Sequence, residues 1–192
     1  MQMSSADDLR PLPALVGLAA DGFSVAYVVA DVIELGLGGF SAVQLALTYA
    51  AEAALPLFVI GLFAVQRPRI SRLGLVGAVG YAYAYVAFAA TVVYSLVEKV
   101  DDWAALTQRL ETWFVVHGAI MVVAGICFGL AVVRAAVFPR WTGWTLIAGV
   151  VLVAATSGLP DHVRTLAAAV RATAFIGMGL ATLTMASTSR AG

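Results

Sequence analysis

Cysteine, histidine and lysine are almost missing from this chain: one Cys, two His and one Lys in 192 residues. With Cys127 alone there is no intrachain disulfide framework and no multi-cysteine metal site. Cys127 sits in an apolar run and is expected to be a packing residue. His117 and His162 fall in different segments, with no HxxE or ExxH pair, so neither a metal centre nor a bis-histidine haem is expected. No cofactor is expected at all. Lys99 lies outside every long apolar segment, which excludes a retinal Schiff base. Charge is scarce too: 11% of residues, against about 25% in soluble domains. Acids and bases balance at 11 each, leaving no basic excess to recruit nucleic acid. GxGxxG, Walker A, GxSxG and DxxxD motifs are all missing.

What is there is apolar. Hydrophobic residues make up 62% of the chain, and mean hydropathy is +0.96. A soluble fold of this size leaves too much of its chain area exposed to hide that surface, whereas lipid covers it. Residues 1–10 carry Asp7 and Asp8 where a signal peptide would be basic, and no cleavage site follows, so the first apolar segment is expected to stay as an anchor. A spanning helix needs about 20 mostly apolar residues. Six such segments are read, over 13–35, 43–66, 73–97, 112–133, 142–159 and 165–187, the fifth short. The expected fold is an all-α integral membrane protein, one domain over 1–192, built as a bundle of six transmembrane helices.

The positive-inside rule orients it. Arg67, Arg69, Arg72, Arg134, Arg140, Arg10 and Arg190 fall on one side in a six-span arrangement, which places both termini in the cytoplasm of a multi-pass cell-membrane protein. On the other side Lys99, Arg109 and Arg164 are diluted by acids. Trp141 and Trp144 suit the inner aromatic belt; Tyr94, Trp113 and Phe114 suit the outer one. The extracytoplasmic loop 98–111 repeats Val100, Trp103, Thr107 and Leu110 at helical spacing, with Asp101 or Asp102 as the start cap. That pattern predicts a short amphipathic helix on the outer surface; a plain connector and a lid over an outward pocket are the alternatives. Each odd-numbered span is entered through a proline and an arginine (Arg10-Pro11, Pro68-Arg69, Pro139-Arg140), a shared boundary solution.

Small residues mark close helix contacts. Gly74, Gly77 and Gly80 open span three, and Gly125 and Gly129 form GxxxG in span four. These positions serve packing within the chain or in a homo-oligomer.

Ionisable residues inside a membrane cost about 2.5–3.5 kcal/mol each and usually face the bundle interior. Asp21 and Glu52 lie near the middles of spans one and two, and Arg171 slightly outside the middle of span six. His117 lies toward the outer end of span four, and Asp31 and Glu34 toward that of span one. Asp21, Ser24, Val28 and Asp31 share one seam. Thr48, Tyr49 and Glu52 share a face with Pro56, which has no N–H for the carbonyl of Glu52. Tyr81, Tyr85 and Phe88 form a stripe in span three, as packing or as a ligand wall. Arg171 is expected to snorkel outward or to pair with Asp21 or Glu52.

Removed from water, a carboxyl group favours its protonated form. The expected catalytic set is therefore Glu52, Asp21 and Asp31, with Tyr49, Tyr81, Tyr85, Trp113, His117 and Arg171 around a hydrophobic, isoprenoid or lipid-like substrate. Aromatic faces can stabilise a carbocation. Tyr49 and Glu52, with the chain's size and span number, resemble the small membrane-bound terpene cyclases. The resemblance implies metal-free, acid-started cyclisation, with Glu52 as the acid. It departs from the family in span six, where Arg171 stands and a second carboxylate is expected. The alternatives are a small proton-coupled transporter and a non-catalytic membrane subunit whose charges are structural.

Overall fold

The computed structural model describes residues 12–191, and side chains through Thr188. Arg10, Pro11 and the acidic start lie outside the described residues, as does the side chain of Arg190. Within them the chain is all helical: α1 (Leu12–Leu37), α2 (Ala42–Val65), α3 (Arg72–Glu98), α4 (Trp103–Arg109), α5 (Glu111–Ala135), α6 (Arg140–Ala155) and α7 (Asp161–Ala191). Five of these are long and apolar enough to cross a membrane: α1, α2, α3, α5 and α7. The sixth, α6, is apolar but has only 16 residues.

Local chemistry sets the boundaries. The hydroxyl of Ser41 caps α2 by accepting from the Gln44 N–H at 3.2 Å. Asp102, one of the two expected caps, starts α4 by accepting from the Ala105 N–H at 2.8 Å. Lys99 and Ala136 end α3 and α5 in the left-handed conformation. The fifth apolar segment ends earlier than its hydropathy suggests. Thr156 and Ser157 turn their hydroxyls back onto the Leu152 and Ala154 carbonyls, and Gly158 and Pro160 follow, so α6 stops at Ala155.

The six longer helices form a closed ring in chain order. Each packs on the next, and α7 returns onto α1. Neighbours are antiparallel, as glycine contacts make plain: Gly74 faces Ala131, while Gly80 faces Ala124. All connections therefore alternate between two ends, and Arg67, Arg69, Arg72, Arg134 and Arg140 gather at one of them. The other carries α4.

Gly125 and Gly129 are used inside the chain. Side chains of α6, Val150 and Ile147, fill the space where a Cβ would stand on them, so α6 already covers the GxxxG face. Toward the arginine-rich end the ring is filled by Phe58, Leu62, Tyr81, Phe128, Leu146, Phe175 and Met178, all buried.

Candidate functional site

Toward α4 the ring is not filled. A cavity of about 820 Å³ lies there, lined by all six ring helices and by α4. The packed layer of Phe58, Tyr81 and Phe175 closes it below.

Its rim is polar and partly paired, with Gln44 Oε1 and Trp103 Nε1 buried without a partner. The Gln44 amide donates to Glu34 at 3.1 Å and to Thr48 at 3.2 Å. Arg164 donates to Asp161 at 2.7 Å and lies 3.7 Å from Glu34. Its guanidinium also covers the Trp103 ring at 4.5 Å. Trp103 meets Phe114 edge-on. The Asp101 carbonyl accepts the Phe40 N–H at 2.7 Å, tying the loop before α4 to the α1–α2 connection. The segment thus crosses the end of the ring, with Val100 and Leu106 buried and Trp103 turned into the cavity.

The floor differs. Glu52 and Arg171 are both 95% buried and both line the cavity. Among the described residues Arg171 has no carboxylate within ion-pair distance, and only Arg164 makes such pairs. The expected pairing with Asp21 or Glu52 is therefore not formed, and neither is the outward snorkel. Instead the guanidinium lies 4.9 Å from the Tyr27 ring centroid and 5.4 Å from that of Tyr85, with the Met121 sulfur at 3.9 Å. Glu52 Oε2 and the hydroxyls of Tyr81 and Tyr85 are buried without a hydrogen-bond partner. Buried polar atoms are normally satisfied, so this group of orphans calls for an explanation.

The fold places Arg171 by close backbone approach. A Cβ on Gly149 of α6 would stand 2.6 Å from the Arg171 Cα, so only glycine lets α6 lie against α7 there. Glu52 reaches the same level from α2, on the face that carries Thr48 and Gln44 above it.

The remaining residues expected at the site divide clearly. Asp31 and Tyr85 line the cavity. Tyr81 lies one turn beneath it in the core, ring centroid 5.1 Å from that of Tyr85. Asp21 sits at the α1–α7 seam, in the room that Gly179 leaves by lacking a Cβ. Tyr49 points outward from α2, 44% exposed. His117 and Trp113 are in the outer seam of α3 and α5. Trp113 donates to the Ala87 carbonyl, and His117 stacks on Trp113 and meets Tyr83. Asp21, Tyr49, Trp113 and His117 therefore stand apart from the cavity. Tyr27 was not expected at the site, and its signal was spacing: Tyr27, Asp31 and Glu34 follow i, i+4, i+7 on one α1 face. Gln44, Thr48 and Glu52 follow the same logic on α2. Among the described residues no His, Cys, Asp and Glu side chains gather as a metal site.

No protein-family model, no curated protein and no solved structure matches the chain.

Proposed function

We propose that this protein is a six-span membrane enzyme that performs acid–base chemistry on a lipid-like substrate held in the ring. In this reading α6 is the sixth span, both chain ends are cytoplasmic, and the cavity faces the extracytoplasmic half of the bilayer. Glu52 moves the proton, Arg171 stabilises negative charge on the substrate, and Asp31 and Tyr85 position it. The observation that carries the reading is the unpartnered Glu52 carboxyl oxygen, buried at the floor of a large cavity beside an arginine with no ionic partner.

The volume suits a ligand, since pockets of about 300–1,000 Å³ bury most of a drug-sized molecule. The packed layer beneath favours a reaction chamber over a transport path, which would need access from both sides. Metal-free cyclisation of an isoprenoid remains within the acid-started class, but the geometry favours a substrate with a polar head. The Tyr27 and Tyr85 faces that would stabilise a carbocation already carry a permanent cation.

The test is proton transfer itself. Wild-type protein in lipid nanodiscs is incubated in D2O with the lipid extract of its host, and the lipids are examined by mass spectrometry. Deuterium entering one lipid species, lost in Glu52→Gln at an unchanged melting midpoint, is the expected result. Equal incorporation with both proteins removes Glu52 from the chemistry.

A further inference from the structure

The cavity wall thins where α6 ends, and Arg171 stands at its inner end among neutral side chains. At 1.5 Å per residue the 16 residues of α6 span about 24 Å, short of the roughly 30 Å hydrocarbon core. Gly125 of α5 already meets Val150, near the α6 end, so the outer turns of α5 run on past Ala155. There Val115 and Ala119 of α5, with Ala154 and Ser157 opposite, line the cavity and are exposed. Exposed residues beside a helix that stops short make this the thinnest stretch of the wall. Gly118 and Gly158 lie in the same wall, and a Cβ built on either meets no atom within 4 Å. In the six-span reading this wall lies within the bilayer, and an opening framed by its small and apolar side chains fits lipid tails better than free polar solutes.

At the inner end the Arg171 guanidinium lies over the Tyr27 and Tyr85 rings, and one N–H reaches the Met121 sulfur. None of these partners is anionic, and the N–H groups of a guanidinium match a carboxylate bidentately. One cation matches one negative charge. A multiply charged head would meet the acids Asp31 and Glu34 on the same lining.

We propose that the cavity admits a single-chain fatty carboxylate from the bilayer through the opening between α5 and the end of α6, seating its head on Arg171 and leaving its tail in the opening. This names the substrate class for the site and rests on the reading that the cavity is the working site.

The probe is cis-parinaric acid, a fluorescent fatty acid, with its methyl ester as the uncharged control, added to protein in nanodiscs. Wild type binds the acid at least tenfold more tightly than the ester. Arg171→Gln binds both alike. Gly118→Trp, which fills open space, slows probe entry at least tenfold at an unchanged melting midpoint. Val123→Trp, on the outer face of the same helix and away from the cavity, leaves entry unchanged. Equal binding of acid and ester by wild type, no probe binding by folded wild type, or unchanged entry in Gly118→Trp each overturns the proposal. Deuterium transfer by Glu52 is read separately: if it persists while the probe results fail, the enzyme reading stands and the carboxylate assignment falls.

Discussion

At the scale of the residue, Glu52 and Arg171 are set apart by what each one lacks. Arg171 is buried with no carboxylate close enough to pair with it, and a buried charge in that state destabilises the fold. Replacing it with methionine keeps the long stem beside Met121 and removes the charge. Arg171→Met should therefore raise the melting midpoint, by about 2–4 °C for each kcal/mol gained, while abolishing turnover. A midpoint that falls by several degrees would mean that the cation holds the ring together. Glu52→Gln keeps shape and loses the acid, so turnover should drop by about 10²–10⁴-fold, the usual range for a lost general acid or base. These two residues were legible because charge in an apolar segment stands out. Tyr27 was not, because a tyrosine in a membrane helix is ordinary until its neighbours at i+4 and i+7 are weighed with it. Asp21 reads the same way as those two in the sequence, and the structure places it apart from the cavity, in the room left by a missing Cβ on another helix, Gly179.

At the scale of the element, glycines decide how near the helices come, and so where the site residues stand. A Cβ on Gly77 would strike the Phe128 backbone nitrogen and stand 2.8 Å from the Ala124 carbonyl oxygen. Backbone cannot swing aside, so Gly77→Ala forces α3 away from α5 and should cost about 1–3 kcal/mol, as overpacking does. Gly149→Ala pushes on the Arg171 backbone in the same way, and it should weaken substrate binding as well as stability. Gly36, on the exposed part of α1 with no atom near its Cβ, is the internal comparison: Gly36→Ala should be neutral or slightly stabilising, because alanine favours the helix. Thermal denaturation of the three variants in one detergent checks the order. The sequence pattern carried the existence of these contacts, since small residues cluster in spans three and four. It could not say which neighbour each one touches, because i, i+3 and i+4 patterns fix a face and not the helix opposite. Hydropathy likewise carried α6 four residues too far at its end, up to Leu159. It weighs side-chain character and not the hydroxyls of Thr156 and Ser157 that turn back onto the chain.

At the scale of the whole molecule, an even number of antiparallel helices in a ring puts Arg67, Arg69, Arg72, Arg134 and Arg140 at one end and the acid-rich α4 end at the other. That distribution, legible from the order of charges along the chain, leads to a definite topology once the ring is in a bilayer, because positive loops stay in the cytoplasm. The chain offers a clean way to check it. Its one thiol, Cys127, lies within α5 and is only half-buried, so Cys127→Ser provides a background free of cysteine. Into it go Gln108→Cys, on the exposed side of α4, and Arg69→Cys, in the loop between α2 and α3. A membrane-impermeant maleimide added to intact cells should label position 108 at once and position 69 only after permeabilisation. The reverse pattern would turn the cavity toward the cytoplasm, and a fatty carboxylate would then be drawn from the inner leaflet. Labelling of both positions in intact cells would mean that α3, the one long helix between them, does not separate them, and the six-span topology would fall.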